Sequence, residues 1–200
     1  MYWTVYGIVI FAGLAMMVRE GLWSNTIMLV NIIISGLVAF GFYSPLVIYL
    51  DEMADGEHTY WLDFAVIWAL FVVAMLICRA LTGAASKTRL RFKNPIDPVG
   101  GPLVGLIAAW VLAAFTTATL HTSPMGKEAF SGKLVYTDVA SQSAFTSPDA
   151  AWLRFFETMS QPAALGSAPT IRFSANKFVE IYQGRREKFE KATSLIVSRG

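Results

Sequence analysis

The chain has 200 residues, 55% of them hydrophobic and 15% charged, a net charge of +2 and a mean hydropathy of +0.51. Soluble domains are about 45–50% apolar and about 25% charged, so the balance points to a membrane protein. It excludes a basic nucleic-acid binder, and the single Cys78 excludes an intrachain disulfide or a thiolate metal site.

The apolar residues fall in four blocks before residue 121. The first, Tyr2–Val18, is close to the minimum length for crossing about 30 Å of hydrocarbon. It lacks the basic start of a signal peptide, so it reads as an uncleaved anchor. The second block begins at Thr26. Ser44-Pro45 favours a kink or an early end, which places the span at Thr26–Tyr43 with Leu46–Leu50 as a helical extension. Asp51–Tyr60 is an acidic loop. The third span is Trp61–Leu81, with Asp63 and Arg79 near its two ends. Residues 82–101 form a basic loop, and Pro102–Leu120 is the fourth span, with Pro102 at a tolerated first-turn position.

Arg19 in the first loop and Lys87, Arg89, Arg91 and Lys93 in the third place both loops on the cytoplasmic side. Both termini then lie outside the cytoplasm. The same four basic residues attract anionic lipid. The expected fold is an all-α membrane protein with a four-helix transmembrane domain over residues 1–124. An extracytoplasmic tail with two short helices follows over residues 125–200. In that tail Ser147-Pro148 opens a helix bearing Trp152, Phe155, Phe156 and Met159, and Ser174 precedes another bearing Phe178, Ile181, Tyr182 and Phe189. The aromatic side of the first is expected to dock on the membrane-facing surface.

Gly101, Gly105, Ala109 and Ala113 recur every four residues and therefore share one helix face. Small residues on one face let a second helix approach closely, so this stripe reads as a packing seam, within one chain or between copies. A candidate polar path joins Asn31 and Ser35 on the second span, Asp63 on the third, and Thr117 and His121 on the fourth. Threonines 116, 117, 119 and 122 with Ser123 either line an aqueous mouth or mark the helix leaving the bilayer. The two histidines, His58 and His121, have no ligand-spaced partner. No phosphate loop or nucleophile elbow is present either. The expectation is a non-enzymatic protein with no metal or other cofactor.

Arg19-Glu20-Gly21 in the first loop, and Asp97 followed by Gly101 and Gly105, are the features by which the chain resembles the colicin V production protein (CvpA) family. The resemblance covers residues 1–124; Ala109 replaces the third family glycine and Thr4 stands where an acidic residue is common. It implies four membrane helices and a role in bacteriocin production or export and envelope homeostasis, with no known reaction. In this frame Asp97 caps the start of the fourth helix. A small oligomeric channel or transporter, and an anchor whose tail binds an envelope partner, are the alternative functions. The partners to expect are the lipid bilayer, further copies of the chain and an envelope protein, but no nucleic acid.

Overall fold

The computed structural model describes residues 2–18, 20–53, 59–85, 96–125, 130, 132–161 and 173–191. Six α-helices and one short 3-10 turn are present among them: α1 Tyr2–Met17, α2 Leu22–Met53, α3 Thr59–Ala85, α4 Ile96–Thr119, the turn Leu120–Thr122, α5 Pro148–Met159 and α6 Ala175–Lys191. Three stretches are long and apolar enough to cross a membrane: Leu22–Met53, Trp61–Ala85 and Asp97–Thr122. These helices are apolar on every side, as lipid-facing helices must be. Val72, Leu76, Ile107 and Phe42 lie exposed on their outer surfaces.

At 16 residues α1 is about 24 Å long and falls short of that criterion. It nevertheless runs antiparallel to α4 over the same depth. Tyr2 packs with Leu120, Gly13 meets Ala109, and Met17 lies beside Gly105.

Two helix limits differ from those the sequence suggested. α2 continues unbroken through Pro45 to Met53, because a membrane helix can absorb one missing donor. α4 begins at Ile96, so Pro102 lies inside the helix and not at its first turn. The first turn is instead Ile96-Asp97-Pro98, where an acidic residue suits the helix dipole and proline forfeits no intrahelical bond.

α2 packs on α3 and α4, and α4 packs also on α1 and α5. One continuous core holds Phe40 of α2, Phe71 of α3, Phe115 of α4, Trp152 of α5 and Phe178 of α6. The segment after α4 therefore shares its interior with the membrane helices. Trp152 and Phe156 are buried in that core, not laid on the bilayer surface. The reason is local: a Cβ at Gly36 of α2 would overlap the Trp152 ring, so the glycine is what lets the indole seat between α2 and α4.

Candidate functional site

At the end of the bundle marked by His121, polar groups from six parts of the chain converge. Asp149 stands in the first turn of α5 and is fully buried. Its Oδ1 accepts from the Tyr2 hydroxyl at 2.6 Å. Its Oδ2 accepts from the Tyr136 hydroxyl at 2.6 Å and lies 2.9 Å from His121 Nε2. Nδ1 of His121 is buried without a partner. A cationic imidazolium would leave a second N–H unsatisfied there, so the geometry favours neutral His121 donating through Nε2 to an ionised Asp149. Burial by itself would raise the Asp149 pKa. The bonds from His121, Tyr136 and Tyr2 outweigh it and hold the carboxyl below its ordinary value. Burial, then the adjacent Asp149 charge, pushes the Tyr136 hydroxyl well above its usual range and keeps it a donor.

α6 completes the junction. Buried Arg186 donates to the carbonyls of Tyr182 and Leu134. Arg185 forms an ion pair with Asp63 of α3 and lies 5.1 Å from the centre of the Tyr182 ring. Hydroxyls of Thr116, Thr117, Thr119, Thr122 and Ser123 donate back to carbonyls three or four residues earlier, at 2.7–3.1 Å. They are all buried. The threonine cluster is therefore neither an open mouth nor a simple exit from the bilayer. It is a self-satisfied helix end, covered by the segment that follows.

The opposite end of the bundle is built on backbone. Asp97 lies within the first turn of α4, and its Oδ1 accepts from the amide of Leu22 at 2.9 Å. The free amide it satisfies belongs to the first turn of α2, so this carboxylate caps across helices. Asn25 Nδ2 donates to the carbonyls of Gly101 at 2.7 Å and Met17 at 3.0 Å. The stripe faces inward within one chain. A Cβ on Gly101 would meet the Glu20 carbonyl at 2.9 Å, and one on Gly105 would meet Asn25 and Met17 at 3.1–3.2 Å. Ala109 and Ala113 are fully buried.

The candidate polar path is split between the two ends. Asn31 donates to Thr82 Oγ1 at 3.2 Å, and Ser35 lies 3.8 Å from Met75 Sδ. Asp63, Thr117 and His121 belong to the other end. Between them Phe115 packs on Phe71 at 4.3 Å, on Trp152 at 5.4 Å and on Phe40 at 5.8 Å between ring centres. Lys87, Arg89, Arg91, Lys93 and His58 lie outside the described residues. Among the described residues no group of three His, Cys, Asp or Glu side chains could hold a metal.

Sequence reasoning missed Tyr2, Asn25, Tyr136, Asp149 and Arg186. For Asn25 a signal existed: an amide one residue ahead of an apolar run needs partners. For Tyr2 and Asp149, 147 positions apart, none did.

No curated protein and no solved structure matches the chain. The family model for the colicin V production protein matches residues 4–145, which include α2 to α4, His121 and Tyr136, and end before Asp149. That match spans well over half the sequence, and the chain belongs to the colicin V production protein family.

Proposed function

We propose that the chain is a non-enzymatic inner-membrane protein serving bacteriocin production or export and envelope homeostasis. It crosses the bilayer four times, with both termini outside the cytoplasm. The part presented outside is the segment after α4, which acts as a platform for an envelope protein. The observation that carries this reading is the buried Asp149 junction. It ties α5 to α1 and to the end of α4, so the platform is held in one orientation and its partner meets a preformed surface. That surface displays Ile181, 55% exposed, beside Lys177, Glu180 and Lys188. Exposed apolar side chains rimmed by charge suit protein contact.

The test is deletion of residues 146–200, beyond the family match, in cells that make the protein. Membrane insertion should persist while bacteriocin secretion and tolerance of envelope stress fall to the level of cells lacking the protein. Full function in the truncated chain would remove the platform from the mechanism.

A further inference from the structure

At the end of the bundle opposite His121, α1, α2 and α3 enclose a groove of about 460 Å³. Its apolar wall includes Met17, Ile27 and Met28, and its polar groups include Glu20, Asn31 and Arg79. Asn31 is 3% exposed. The Thr82 hydroxyl donates to the Cys78 carbonyl at 2.7 Å, so it can only accept from Asn31 Nδ2. The atom left over is Asn31 Oδ1, buried and without a partner. An unsatisfied buried acceptor is costly, and its presence in the wall of a groove calls for a donor from outside the chain. Arg79 is exposed at the same groove, on a helix whose outer surface faces lipid. Its long stem can bring the guanidinium to headgroup level. Among the described residues neither Arg79 nor the carboxylate of Glu20 has a charged partner.

We propose that this groove binds one phospholipid whose headgroup carries both a phosphate and a primary ammonium, as phosphatidylethanolamine does. Arg79 takes the phosphate in a charge-assisted hydrogen bond. The ammonium donates to Asn31 Oδ1 and is balanced by the Glu20 carboxylate. The first acyl carbons lie along Met17, Ile27 and Met28. A purely anionic headgroup would meet Glu20 with repulsion. A quaternary ammonium has no N–H to give Asn31, so phosphatidylcholine fits less well although its net charge is the same.

The full chain, purified in mild detergent, is exposed to equimolar phosphatidylethanolamine, phosphatidylcholine and phosphatidylglycerol with matched acyl chains. Retained lipid is counted by native mass spectrometry. The expected result is about a tenfold preference for phosphatidylethanolamine over phosphatidylcholine, the scale of one charge-assisted hydrogen bond. That preference should collapse toward equality in Asn31→Leu, whereas Arg79→Gln, which removes the contact to the phosphate both lipids carry, should lower retention of both alike. Arg79→Gln alters an exposed side chain, so its loss of retained lipid tests the groove even if Asn31→Leu fails to fold. Equal retention of the two zwitterionic lipids by the native chain, strongest retention of phosphatidylglycerol, or undiminished retention of phosphatidylethanolamine in Arg79→Gln would each overturn the proposal.

Discussion

A carboxylate sealed from solvent is tolerated only when its oxygens meet donors. Asp149 meets three, from Tyr2, Tyr136 and His121. Asp149→Asn removes the charge and turns one acceptor oxygen into a donor that faces other donors. It should cost about 3 kcal/mol, seen as a lowered unfolding temperature in detergent by tryptophan fluorescence. The same carboxyl makes the fold sensitive to acid. Its folded pKa lies below the ordinary 3.8, so its contribution is complete above that value and is lost as pH falls below it through the folded pKa. Thermal scans of the native chain should therefore lose stability below about pH 4, and Asp149→Asn should flatten that part of the profile. Parallel profiles for the two proteins would show that another group governs acid unfolding. None of this was legible locally. Asp149 looked like an ordinary first-turn residue after Ser147-Pro148. Ser147 does occupy the position before α5, but its side chain bonds Gln142 and makes no cap.

At the scale of helices, the legible part was periodic. A four-residue interval of small side chains needs no partner to be noticed, and the structure supplies α1 as the helix that approaches it. A Cβ on Gly13 would lie 2.9 Å from the Cβ of Ala109. The illegible part was a single glycine. Gly36 and Gly41 look alike in the sequence of α2. Only Gly36 has Trp152 against it, while a Cβ on Gly41 would meet nothing within 4 Å. Gly36→Leu should therefore unseat α5, by a cost of about 3 kcal/mol or more from overpacking and lost aromatic burial. Gly41→Leu should leave the unfolding temperature within a degree or two, as a side chain added toward open space does. Equal effects of the two substitutions on thermal unfolding would contradict the seating of Trp152.

For the molecule as a whole, composition and block length were enough to read a helical membrane protein, because the bilayer leaves few other ways to satisfy a buried backbone. They could not reveal that the segment after α4 shares a core with the spans. That depends on aromatic contacts between residues more than 100 positions apart, such as Phe40 with Trp152 and Phe178. Nor does length settle α1, whose 16 residues fall short of a comfortable span. Its antiparallel course beside α4 argues that it crosses, since Tyr2 and Asp149 then share one face of the membrane. Single cysteines at Trp3, Ala85 and Ser141, in a Cys78→Ala background, decide the point with a membrane-impermeant thiol reagent on intact cells. Labelling is expected at positions 3 and 141 and not at 85. Labelling at 85 alone would invert the protein and put the Asp149 platform in the cytoplasm. Labelling at 141 with position 3 protected would leave α1 as a helix packed against α4 without crossing, and would reduce the spans to three.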